Sequence, residues 1–128
     1  MRFAPLLVLA LLAGCAPTVE PIVLQPPSPS PPGIDGRYRG TARLVQANVA
    51  TCPRSGSRVY EVQNGQVTLS YNAGPRQRVP ITADIGGDGR FQASDGVGTM
   101  DGTLQDGRLE ISIASQFCEH RWTLTRVN

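Results

Sequence analysis

The chain offers few side chains able to do chemistry, and their spacing narrows the options further. Histidine occurs once, at His120, and cysteine three times, at Cys15, Cys52 and Cys118. One imidazole cannot hold zinc alone, because a zinc site takes three or four ligands. The cysteines stand too far apart for a CxxC redox pair, and no GxSxG-like element presents a nucleophilic serine. Aspartate recurs beside glycine at 35–36, 88–89, 95–96, 101–102 and 106–107. None of these pairs keeps the DxDxDG spacing that would wrap calcium. Net charge is +2, with twelve arginines and no lysine, too weak an excess to recruit nucleic acid. The expected chemistry is therefore binding rather than catalysis, with no metal and no cofactor. The candidate contacts are His120 and Trp122, close together near the C-terminus, and Arg54 in the polar loop TCPRSGSR (Thr51–Arg58).

Cys15 sits in different surroundings. Met1-Arg2-Phe3 gives a short positive start, and an apolar run follows down to Leu12-Ala13-Gly14-Cys15. That run is well short of the about 20 residues needed to span a bilayer, but it suits the apolar region of a secretion signal. Leu12-Ala13-Gly14-Cys15 resembles the lipobox of bacterial lipoprotein signal peptides. The resemblance covers the first 15 residues. It implies cleavage before Cys15, a thioether-linked diacylglycerol on its sulfur and an amine acylated with a chain such as palmitate. Ala16 in place of aspartate implies transfer to the outer membrane. One acyl chain binds a membrane marginally, whereas two or three anchor it. Residues 1–14 are thus read as a lipoprotein signal peptide and the mature protein as tethered by Cys15.

Residues 15–33 form a linker in which most of the eleven prolines fall. Proline fixes φ and removes a donor, so neither a helix nor a central strand fits. The segment is expected to be disordered and extended, near 3.1 Å per residue where polyproline-like, a reach of roughly 50 Å. It would hold a folded domain, residues 34–128, off the bilayer.

The domain reads as all-β. Val67, Leu69 and Tyr71 alternate with polar residues, as do Val79, Ile81, Ala83 and Ile85, and Leu109, Ile111 and Ile113. Period two over such lengths means half-buried strands. Asn64-Gly65 and the Asp-Gly pairs tolerate φ > 0 and are the strongest short hairpin signal. Together they predict eight strands, near 37–47, 58–63, 66–72, 76–85, 89–94, 97–104, 108–114 and 117–126. Asp101-Gly102 falls inside a strand, where Gly102 is expected to mark a bend or bulge. Short strands in sequence order favour an antiparallel up-and-down meander. Because a meander leaves two exposed edges unless it closes, the fold expected is a small barrel of about eight strands.

With Cys15 given to lipid, Cys52 and Cys118 make an even pair in an oxidising compartment. In a closed meander the first and last strands are antiparallel neighbours, so a Cys52–Cys118 bond would staple their seam. On the last strand Cys118, His120, Trp122 and Leu124 share one face, which would be the inner one. Tyr38, Gly40, Ala42, Leu44, Ala83, Phe91, Ala93, Met100 and Gly102 would join them inside. Arg37, Arg39, Arg43, Arg76, Arg78, Arg108 and Arg121 would lie outside, with Glu110 and Glu119 between them.

The function expected is that of a non-enzymatic outer-membrane lipoprotein whose disulfide-closed barrel binds or supports the envelope. Its partners would be the membrane, through Cys15, and an envelope protein or a small ligand; the chain would be a monomer facing the periplasm or the cell surface. A lipocalin-like carrier is one alternative, if the interior is unfilled. In size, lipid anchor and architecture the chain also resembles the small β-barrel protease inhibitors carried by some bacterial outer-membrane lipoproteins. Their disulfide closes a short local loop, whereas these two cysteines are far apart. The resemblance implies inhibition, and the Thr51–Arg58 loop with Arg54 would be the bait.

Overall fold

The computed structural model describes residues 33–128 and Gly14; the expected signal peptide apart from Gly14, the expected lipidation site Cys15 and the expected linker up to residue 32 lie outside the described residues. Eight antiparallel strands follow one another: β1 (Gly36–Ala47), β2 (Gly56–Val62), β3 (Gln66–Asn72), β4 (Arg78–Asp84), β5 (Arg90–Ser94), β6 (Gly98–Gln105), β7 (Arg108–Ser115) and β8 (Cys118–Arg126). Each coincides with an expected strand to within two residues, because alternation and turn residues agree along the whole domain. Two turns have both central residues at positive φ, Asn64-Gly65 (54° and 67°) and Asp106-Gly107 (53° and 75°). This is the backbone that a two-residue hairpin needs to match the strand twist.

The strands do not close into a ring. Six form one sheet in the order β2-β1-β8-β7-β6-β5, and β3 and β4 form a separate two-stranded sheet. The expected seam is present: β1 pairs with β8 from Tyr38↔Arg126 to Ala47↔Cys118. The closed barrel is not, because the ladder stops on either side of the β3–β4 hairpin. Between β2 and β3 a single bridge remains, Gln63↔Gln66 at the turn. The turn is held elsewhere, since the Asp35 carboxylate accepts the N–H groups of Asn64 and Gly65 at 2.9 Å each and the Ile85 N–H reaches the Gly65 carbonyl at 2.9 Å. Anchored there, β3–β4 leaves the plane of β2 and packs its apolar face over β6 and β7.

One core fills the space between the two sheets. Tyr38, Met100, Leu109, Ile111 and Leu124 are at most 2% exposed, and Val67, Leu69, Tyr71 and Ile81 cover them from the hairpin. Large and small residues are mixed across the inner face. One cross-strand row runs Ala42, Trp122, Ile111, Gly102, Phe91. Gly102 is neither bend nor bulge, since the register is unbroken on both sides of it. A Cβ there would lie 2.4 Å from the Phe91 ring and 2.2 Å from the Glu110 carbonyl oxygen. The residue is small so that the ring can lie across it. The bulge sits instead in β1, where the register against β8 shifts between Leu44 and Gln46.

Candidate functional site

The gap between β2 and β3 widens away from their turn, and side chains bridge it. Midway, the Thr68 N–H donates to the Tyr60 hydroxyl at 2.7 Å, standing in for a missing ladder bond. Beyond that point the strands part, and a recess of about 130 Å³ opens between the sheets. Its floor is the inner face of β8, with the disulfide, His120 and Trp122. Its walls are Arg58 from β2 and Asn72 and Arg78 from the hairpin.

The disulfide fixes one rim. Cys52 and Cys118 are bonded with S–S 2.03 Å and Cα–Cα 5.7 Å. The same rim is tied by hydrogen bonds that spread along residues 48–58. Asn48 donates its N–H to the Phe117 carbonyl at 2.8 Å and its side-chain amide to the Gln116 carbonyl at 2.7 Å. Ser55 Oγ accepts the Leu44 N–H at 2.8 Å, just before the β1 bulge. The Thr51 hydroxyl donates to the Pro75 carbonyl. His120 is buried, with Nε2 2.8 Å from the Pro53 carbonyl. A carbonyl oxygen can only accept, so Nε2 carries the proton. The imidazole thus pins the loop to the floor of the recess.

The two arginines are positioned by neutral acceptors. Arg58 donates from Nη2 to the Arg54 carbonyl at 2.7 Å and from Nη1 to the Ser57 carbonyl at 2.9 Å. Arg78 donates from Nη2 to the Ser70 carbonyl at 3.0 Å and from Nη1 to Asn72 Oδ1 at 3.3 Å. Asn72, 2% exposed, passes its own amide N–H on to Thr51 Oγ1 at 3.2 Å.

Further along β3, Tyr71 closes the opposite flank. Its ring lies on Gly98, where a Cβ would come within 2.5 Å. Its hydroxyl donates to the Asp95 carboxylate. Burial, and then the Asp95 carboxylate, push the Tyr71 hydroxyl above the usual phenol range. Asp95 is held below the usual carboxylate range, first by the Gly98 N–H, then by the Tyr71 hydroxyl and the Val97 N–H.

The structure brings His120 and Trp122 together in the recess and places the disulfide beside them, while Arg54 stays exposed outside the recess, its carbonyl accepting from Arg58. Arg37, Arg39, Arg43, Arg76, Arg108 and Arg121 are solvent-facing. Arg78 is exposed as expected, but its guanidinium also reaches the recess; sequence reasoning missed that, along with Arg58 and Asn72. Arg58 had a legible signal: it shares the alternation of Tyr60 and Val62, so an arginine stands on the inner face of β2. A second, larger trough of about 960 Å³ runs across the outer face of the six-stranded sheet. It is open to solvent and mixes Arg43, Arg90 and Arg121 with Asp88, Asp101 and Glu110. Arg108 and Glu110 pair there at 2.9 Å, both well exposed, a contact of little energetic weight.

No family model, curated protein or solved structure matches this chain.

Proposed function

We propose that this protein is a non-enzymatic, lipid-anchored binding module of the bacterial outer membrane. Acyl chains on Cys15 would hold it to the bilayer, and the proline-rich stalk would project the domain into the periplasm or beyond the cell surface. The observation that carries the reading is the recess at the parted β2–β3 edge. Polar groups of three strands converge there on a floor that a disulfide and a buried histidine hold rigid. Preorganisation of this kind reduces the ordering cost of binding. A disulfide also suits an exported domain. The strands are read as a meander barrel opened along one side, with the opening used as the site. The packed core speaks for a ligand at this rim rather than for lipocalin-like carriage in a lumen.

Fractionation of native-host cells and native mass spectrometry of the mature protein test the two halves of the proposal. Cys15→Ala is expected to move the protein out of the membrane fraction; retention there would overturn the anchor. A mass excess that disappears on denaturation is expected for the mature protein and should fall when Trp122 is replaced by alanine. A bare mass in protein taken straight from the envelope, with no partner co-purifying, would overturn the binding role.

The pinned loop favours a second reading, protease inhibition. Arg54 is exposed on a segment held at Cys52, Pro53, Ser55 and by Arg58. A trypsin-like protease titrated with the protein would lose activity stoichiometrically, and Arg54→Ala would abolish the effect. Rapid cleavage after Arg54 would dismiss it.

A further inference from the structure

We infer that the recess takes a small oxyanion, a carboxylate or phosphate group, held between Arg58 and Arg78. The inference rests on the reading of the recess as a binding site and names the chemistry of its ligand.

Each guanidinium has five N–H donors, and two of them on Arg58 and two on Arg78 go to the acceptors named above. All four acceptors are neutral. Among the described residues no carboxylate lies within ion-pair distance of either arginine; the ion pair is Arg108–Glu110, on the outer face. Two positive charges therefore line one small cavity, each oriented by carbonyl or amide oxygens and each with donors to spare. A guanidinium fork matches a carboxylate or phosphate in two parallel bonds.

Surroundings add to the effect. Opposite the arginines stand Trp122, Ile113, Ala42 and the disulfide. Arg58 is half-buried and Arg78 exposed, so the recess is open on the Arg78 side; the apolar wall lowers the dielectric on the other and strengthens a charge pair against it relative to one on an open surface. His120 does not compete for the anion, because its Nε2 proton is committed to Pro53. Size sets the limit. Pockets for drug-sized ligands run to roughly 300–1,000 Å³, whereas this one holds about 130 Å³. It has room for an anionic head group and not for an acyl chain. The outer trough is larger and also has arginines, but Asp88, Asp101 and Glu110 share it, so it lacks the one-signed field of the recess.

A competing explanation exists for Arg58 alone. Inward-pointing charges on edge strands discourage edge-to-edge association, and β2 is an edge strand. That role needs no partner on β4 and no anion.

The full-length mature protein, reconstituted in neutral phosphatidylcholine vesicles, separates these cases. Trp122 is the only tryptophan and lines both the recess and the outer trough, so its fluorescence reports an anion at either and the variants on the two faces assign it; a loss confined to Arg43→Gln and Arg121→Gln would overturn the inference. Inorganic phosphate and acetate, each titrated at constant ionic strength against chloride, are expected to give a saturable change that chloride does not. Arg58→Gln and Arg78→Gln should each weaken the apparent affinity about tenfold or more, the loss expected for one charge-assisted hydrogen-bond pair. Arg43→Gln and Arg121→Gln remove the same charge from the outer face and should leave it within about twofold. Two independent recess variants keep the test decisive if one of them folds poorly, which thermal melts would reveal. Repeating the measurement with phosphatidylglycerol vesicles and no added anion identifies the source: saturation there assigns the oxyanion to a lipid head group, and an unchanged signal assigns it to a soluble molecule. No saturation by phosphate or acetate overturns the inference, as does an equal loss in all four variants. So does an Arg58→Gln protein that binds normally but self-associates, which would make Arg58 an edge guard. A neutral ligand found in the recess by native mass spectrometry would end the oxyanion assignment and leave the binding role standing.

Discussion

Along β1 and β8 the chain closes on itself by backbone. The ladder runs from Tyr38 to Ala47 on one side and from Arg126 to Cys118 on the other, and a disulfide ends it. Along β2 and β3 the ladder is missing, and side chains bridge the gap. One bridge and the Tyr60 hydroxyl take the place of a ladder, while the Tyr71 ring over Gly98 ties the hairpin to β6. The first region is a ladder interrupted only by the β1 bulge between Leu44 and Gln46. The second leaves the polar recess. Backbone pairing uses every donor and acceptor in regular order and leaves no room between strands. Side-chain bridging is discontinuous, so it can enclose space and direct charged groups into it. The same meander therefore supplies a rigid frame on one side and a site on the other.

The seam should respond most strongly to mutation. Cys52→Ser removes a cross-link between residues 66 apart in sequence and should lower stability by about 2–4 kcal/mol. Chemical denaturation would measure this, and Cys118 should become reactive to thiol reagents. Unchanged stability would mean that the β1–β8 ladder needs no staple.

The side-chain closure is next. Gly98→Val places methyl groups where the Tyr71 ring lies, and overpacking of this kind costs about 1–3 kcal/mol. Amide exchange should accelerate more in β3 and β4 than in β1 and β8. Uniform acceleration would show that the hairpin is not a separately held unit. Tyr60→Phe, which deletes the acceptor for the Thr68 N–H, should cost about 1 kcal/mol. Its effect should be confined to the β2–β3 side.

The smallest effect is expected from pH. The Asp95 carboxylate is held below its usual range by the Gly98 and Val97 N–H groups and the Tyr71 hydroxyl. A carboxylate with a depressed folded-state pKa contributes stability above its unfolded value, near 3.9. That contribution is lost as pH falls through the folded value. The hydroxyl of Tyr71, raised in the fold, contributes below its unfolded value near 10 and loses this as pH rises through the folded one. Asp95→Asn should therefore flatten the acid limb of the stability profile, measured by melts from pH 2 to 7. An acid limb identical to that of the parent would remove Asp95 from the flank's balance.

Strand number, strand limits and turns were legible because they are local. Alternation of Val67, Leu69 and Tyr71, and glycine after Asn64 and Asp106, need no distant information. The seam and its disulfide were legible too, since an even cysteine pair placed after the first strand and at the start of the last has one simple geometry in a meander. Gly102 was misread because its reason lies across the sheet, in the Phe91 ring. Arg78 was half-read: it alternates outward on β4, yet its long side chain turns back to Asn72 and Ser70.

The sequence by itself determined the all-β class, the eight strands and which faces are apolar, because backbone stereochemistry and period-two burial act over a few residues. Only the tertiary structure decided that the ring stays open. There the Asp35 carboxylate takes the turn at Asn64-Gly65, and the hairpin packs against β5, β6 and β7 instead of extending a ladder with β2. These contacts join residues distant in sequence, and the recess lies where the ladder is missing.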